Sequence, residues 1–177
     1  KIHVKLEPYN SVMLFFGDIP SDLPTLEEFS VVDSIPIDSK YKVSLCDAES
    51  YPVFKGEVFV INTLKNITSN DMYPRFGGYM KYETVFSYTP DNMKSILDLG
   101  YVGETAEVYV NGKKAGEKIA PPYIFDISDS VVEGSNSLTV IVTNNLAYEQ
   151  RDLCSKYLLL EPSGLLGPVR IIKMKKS

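Results

Sequence analysis

Apolar and polar residues alternate along many short stretches of this chain, the period expected of half-buried strands. Residues 2–6 read Ile, His, Val, Lys, Leu, and residues 40–46 alternate in the same way. Met80, Tyr82, Thr84 and Phe86 share one face; Lys81, Glu83, Val85 and Ser87 share the other. Leu97 and Leu99 oppose Asp98. Ala106, Val108 and Val110 oppose Glu107 and Tyr109, and Asn111-Gly112 follows at once. An Asn-Gly pair between alternating runs predicts a tight hairpin, because both turn residues need φ > 0. Gly116 is expected to end the returning arm. Pro121-Pro122 predicts extended chain leading into a strand over 123–127, followed by a loop with room for a helical turn at 129–133. Leu138, Val140 and Val142 alternate with Thr139, Ile141 and Thr143. Residues 164–168 read as a tight turn before a last strand over 169–174.

Two continuous apolar runs, 12–16 and 58–61, have strand length. Residues 62–76 are polar and turn-rich, with one helical turn expected after Asn66 or Ser69. Residues 17–24 hold two prolines and two aspartates and break regular structure. They are read as a boundary. Residues 1–17 are then closing strands of a preceding domain or an N-terminal extension, and residues 18–177 form one domain. About ten short strands and no amphipathic helix of three turns predict an all-β domain, a β-sandwich jelly roll.

Composition narrows the chemistry. The 177 residues are 44% hydrophobic and 23% charged, a globular balance. Lys+Arg number 18 against 23 Asp+Glu, and the net charge of −5 argues against nucleic acid and against an anionic membrane surface. No apolar run approaches the ~18 residues of a membrane-spanning helix. The single histidine, His3, stands two residues from the chain start, a poor place for the positioned imidazole of a Ser-His-Asp or Cys-His mechanism. Two distant cysteines, Cys46 and Cys154, make neither a zinc site nor a disulfide framework; free thiols are favoured over one disulfide. No glycine-rich phosphate loop is present. The chain begins at Lys1 with neither Met nor a signal-peptide pattern and reads as a piece of a larger protein. Its compartment is left open, with a secreted or periplasmic place favoured over the cytoplasm.

The order of motifs then matters. It runs Phe76-Gly77-Gly78-Tyr79, Leu97-Asp98-Leu99-Gly100, Val110-Asn111-Gly112-Lys113, Pro121-Pro122-Tyr123 and Phe125-Asp126-Ile127. It continues with Gly134, Asn136 and Leu138, and closes with Pro162-Ser163-Gly164-Leu165-Leu166-Gly167-Pro168-Val169. This order resembles the galactose-binding-like jelly roll of multidomain bacterial glycoside hydrolases, of the β-galactosidase/β-glucuronidase and α-L-rhamnosidase types. The resemblance covers about residues 72–173. It implies a non-catalytic accessory domain that packs on the catalytic domain of the same polypeptide and contacts an oligo- or polysaccharide. In such enzymes the catalytic carboxylates sit on a separate barrel. Glycoside hydrolysis needs two carboxyl groups about 5–9.5 Å apart, and no spacing here marks such a pair. The chain by itself is therefore read as no enzyme. The alternatives are an autonomous carbohydrate-binding module and a purely structural interaction domain.

Sugar binding needs aromatic platforms and polar groups that bracket hydroxyls. Trp is absent but Tyr numbers 12. Residues 144–152 gather three amides, a tyrosine, an arginine and two acids. Asn144, Asn145, Tyr148, Arg151 and Asp152 are the candidate carbohydrate contacts there. Asp152 is the nearest counterpart of an aspartate that, in the resembled enzymes, precedes the Ser-Gly motif and reaches the barrel. Tyr73 and Arg75 form a second candidate loop. No cofactor is called for; the resemblance leaves a structural calcium open, with no ligand spacing to place it. Asn66-Ile67-Thr68 matches a glycosylation sequon.

Overall fold

The computed structural model describes Val4, Leu6 and residues 11–18, 27–150, 157 and 159–176. The described chain forms twelve strands and the 3-10 turn Leu146–Tyr148, with no α-helix among the described residues, so it is all-β. The strands are β1 (Phe29–Pro36), β2 (Tyr41–Cys46), β3 (Val58–Ile61), β4 (Tyr79–Tyr88), β5 (Lys94–Asp98) and β6 (Tyr101–Gly103). They continue as β7 (Thr105–Val110), β8 (Lys113–Lys118), β9 (Ile124–Asp126), β10 (Gly134–Thr143), β11 (Gly164–Gly167) and β12 (Arg170–Lys176). A four-stranded sheet runs β1-β12-β5-β9 and a six-stranded sheet runs β3-β2-β4-β10-β7-β8. A two-stranded ribbon, β11-β6, stands at one end. The two main sheets make a β-sandwich.

Register follows from alternation, because a slip of one residue would turn every apolar side chain outward. Val140 lies opposite both Tyr82 and Val108, and Val43 lies opposite Tyr82. All four are 0% exposed and form one row across the six-stranded sheet. Leu97 and Ile171, paired in the other sheet, are equally buried and face the same core. Asp98, on the outer face, takes a two-pronged hydrogen bond from the Arg170 guanidinium at 2.8 and 2.9 Å.

The hairpin stands where the sequence places it. Asn111 and Gly112 have φ of 52° and 76°, joining Val110 to its partner Lys113. Gly116 does not end the returning arm; it sits at a bulge where Val108 pairs with Gly116 and Tyr109 with Lys114. Residues 164–168 are no simple turn either. Gly164–Gly167 is β11, paired with β6. Close approach explains the glycines here: a Cβ on Gly164 would lie 2.4 Å from the Tyr82 hydroxyl, which accepts from Leu165 N at 3.1 Å.

Residues 62–76 form turns, as expected. The sequon asparagine braces them: Asn66 Oδ1 accepts from Thr68 N at 3.0 Å, Thr68 Oγ1 at 2.8 Å and Ser163 N at 2.9 Å. Residues 12–16, expected as a strand, take no strand structure, and Phe15 and Phe16 are 79% and 87% exposed. A strand needs a hydrogen-bonded neighbour; none of the described strands pairs with this segment. Conversely, β1 carries no clean alternation and still forms, because it adds to the edge of the sheet beside β12. Cys46 is a buried thiol, and Cys154 lies outside the described residues.

Candidate functional site

The ribbon end of the sandwich brings distant polar groups together. A single residue, Glu104, links β6 to β7 and so carries the chain from the ribbon into the six-stranded sheet. Turning that far in one residue forces Glu104 to φ 83°, a conformation that is costly with a side chain. β7 and β10 end in register, Thr105 opposite Thr143. The residues just beyond those ends therefore meet. Asn145 is the N-cap of the 3-10 turn Leu146–Tyr148: its Oδ1 accepts from Ala147 N at 2.8 Å. Its Nδ2 donates to Glu104 Oε1.

Three tyrosines complete the end. The Tyr123 hydroxyl donates to the Glu104 carbonyl, and the Tyr148 hydroxyl donates to the Glu161 carbonyl. The Tyr101 hydroxyl donates to Glu161 Oε2 at 3.1 Å. Gly103 lets β6 lie close to the chain entering β11: a Cβ there would stand 2.5 Å from the Pro162 carbonyl oxygen. The result is an open cavity of about 400 Å³ between Glu104, Tyr101, Pro121, Tyr123 and Glu161. That is the size of a small ligand site.

Electrostatics matches this geometry. Partial burial raises the Glu104 carboxyl above its usual range, although the amide of Asn145 favours the charged form. Burial raises the Tyr148 phenol first, and the negative charges of Glu104 and Glu161 add to it. Among the described residues no group of three His, Cys, Asp or Glu could hold a metal ion.

The predicted site residues fall into separate roles. Asn145 lines this end. Asn144 is buried and faces the other way: its Oδ1 accepts from Gly78 N at 2.8 Å and its Nδ2 donates to Phe76 O at 2.9 Å. It is a clamp between loops. Tyr148 is buried, its hydroxyl holding the Glu161 carbonyl rather than its ring offering a face. Arg75 reaches the Glu149 carbonyl at 3.4 Å, behind the same 3-10 turn. Tyr73 stands apart, stacked on Phe59 at 5.6 Å with its hydroxyl on Glu57. Arg151 and Asp152 lie outside the described residues. Sequence reasoning did not name Glu104, Tyr101, Tyr123 or Glu161 as site residues. A usable signal existed: Glu161 immediately precedes the Pro-Ser-Gly run.

No family model matches the chain. A rhamnosidase from Novosphingobium sp. PP1Y superposes with a TM-score of 0.66 at 25% identity, over 85% of this chain and 16% of that enzyme. The chain resembles the sugar-binding jelly-roll domain of glycoside hydrolases. A β-glucuronidase from Ruminococcus gnavus in complex with D-glucuronic acid shares the fold, with a TM-score of 0.61 at 20% identity over 86% of this chain and 31% of that one. Among curated proteins, a "Putative beta-glucuronidase" of Formosa agariphila is 31% identical over 102 residues, 51% of this chain and 9% of that protein. The chain thus spans less than a third of each of these proteins.

Proposed function

We propose that the chain is a non-catalytic accessory domain of a multidomain glycoside hydrolase. It packs on the catalytic domain of the same polypeptide and presents the Glu104–Asn145–Glu161 end to carbohydrate. The observation that carries the carbohydrate contact is the 400 Å³ cavity in which an amide-held carboxylate, a second carboxylate and an exposed tyrosine, Tyr101, converge. Carboxylates accept from sugar hydroxyls, and a tyrosine face suits the C–H side of a pyranose. The accessory role is supported by relatives that are several times longer than the matched region.

The test is a glycan-array screen of the full 177-residue chain, paired with a nitrophenyl-glycoside hydrolysis assay. The expected outcome is binding to a subset of glycans, weakened in Asn145→Ala, with no hydrolysis. Hydrolysis abolished by Glu104→Gln would overturn the non-catalytic reading. Absence of glycan binding by folded protein would overturn the carbohydrate contact and leave a packing domain.

A further inference from the structure

We infer that the cavity between Glu104 and Glu161 selects an uncharged pyranose and rejects a uronic acid. This rests on the reading that this end binds carbohydrate and adds the class of sugar.

The argument is one of donors, acceptors and charge. Among the described residues the charged side chains lining the cavity are Glu104 and Glu161, both acidic, and no cation lines it. Each carboxylate is held by one oxygen, Glu104 Oε1 by Asn145 and Glu161 Oε2 by Tyr101. Among the described residues nothing donates to Glu104 Oε2 or Glu161 Oε1. Two acceptors are left for ligand donors. The nearby tyrosine hydroxyls donate elsewhere: Tyr123 to the Glu104 carbonyl, Tyr148 to the Glu161 carbonyl and Tyr101 to the Glu161 carboxylate. The cavity therefore offers acceptors, which suits hydroxyl groups.

A neutral pyranose brings several hydroxyl donors. A uronate replaces one of them with a carboxylate that has none, and it adds a third negative charge beside two others. Binding sites that recognise carboxylates use Arg or Lys, which supply the paired donors. The described lining of this cavity has the opposite character. One uncompensated like charge in such a partly exposed site costs about tenfold in affinity.

The experiment is a ¹⁵N-HSQC titration of the full chain with matched methyl glycosides: glucose against glucuronic acid, galactose against galacturonic acid, and methyl α-L-rhamnoside. The expected result is that at least one neutral sugar shifts the Asn145 side-chain amide and the Glu104 and Tyr101 backbone amides at pH 7. Its uronate counterpart binds about tenfold weaker or worse. Glu104→Gln removes one charge and should bring the uronate several-fold closer to its neutral partner; Glu161→Gln, on an exposed side chain, gives the same readout should the first variant fail to fold. Equal or tighter binding of the uronates at these residues overturns the inference while leaving the carbohydrate reading intact. Neutral-sugar shifts confined to other residues overturn the placement of the site. No shift with any of the five sugars overturns both.

Discussion

Asn144 and Asn145 are neighbours with opposite duties, and substituting each separates stability from binding. Asn144 is 6% exposed and makes two hydrogen bonds with loop backbone, from Gly78 N at 2.8 Å and to Phe76 O at 2.9 Å. Asn144→Ala removes both, each worth about 1 kcal/mol net. It also strands the Gly78 amide, which is buried, at a further cost of about 1–3 kcal/mol. The sum is about 3–5 kcal/mol. Asn145 is exposed; Asn145→Ala loses an N-cap bond and a bond to Glu104, together about 1 kcal/mol. At about 2–4 °C per kcal/mol for a domain of this size, Asn144→Ala lowers Tm by about 6–20 °C and Asn145→Ala by a few degrees. Urea denaturation followed by circular dichroism, with unchanged m-values, checks both figures. Asn144→Asp keeps the acceptor for Gly78 but sets a carboxylate against the Phe76 carbonyl, so its cost falls at or above that of Ala. Equal destabilisation by the two alanine variants, or less than about 1 kcal/mol for Asn144→Ala, would refute the clamp.

Three further outcomes follow from the same end of the molecule and its support. Glu104→Gly relieves a side chain held at φ 83° and should stabilise the domain by about 0.5–1 kcal/mol after the extra chain entropy of glycine, while weakening glycan binding; thermal melts and binding are compared side by side. Because its carboxyl is raised on folding, the native state binds more protons across the window just above the ordinary carboxyl range, so Glu104 makes stability fall as pH rises through that window. Melts of wild type and Glu104→Gln from pH 3.5 to 7 should coincide best at the acid end and diverge in favour of the variant towards neutrality. Tyr82→Phe strands the buried Leu165 amide and should cost about 1–3 kcal/mol by urea denaturation.

Much of the sandwich was legible because burial and register leave a two-residue period. The row Val43, Tyr82, Val140 and Val108 is visible as alternation in four separate strands. The Asn111-Gly112 turn was legible because its residue types fit few other conformations. What failed lacked a local signal. Residues 12–16 carry the apolar content of a strand but have no described neighbour to pair with, and β1 forms at a sheet edge with little alternation. β11 was hidden by glycines that read as turn residues but serve close packing against Tyr82. The candidate site was half legible. Asn145 was found by composition, but its partner Glu104 is 41 residues away and Glu161 enters from a third segment. Only the pairing of β7 with β10, and of β6 with β11, brings those segments to one end.

The account's central claim is that carbohydrate is contacted at the Glu104–Asn145–Glu161 end. The direct measurement is isothermal titration of the best glycan from the array against wild type, Asn145→Ala and Glu161→Gln. The account predicts at least tenfold weaker binding in both variants, with Tm lowered by no more than a few degrees. Unchanged Kd in both, or binding lost only when the distant Tyr73 is replaced, would contradict it.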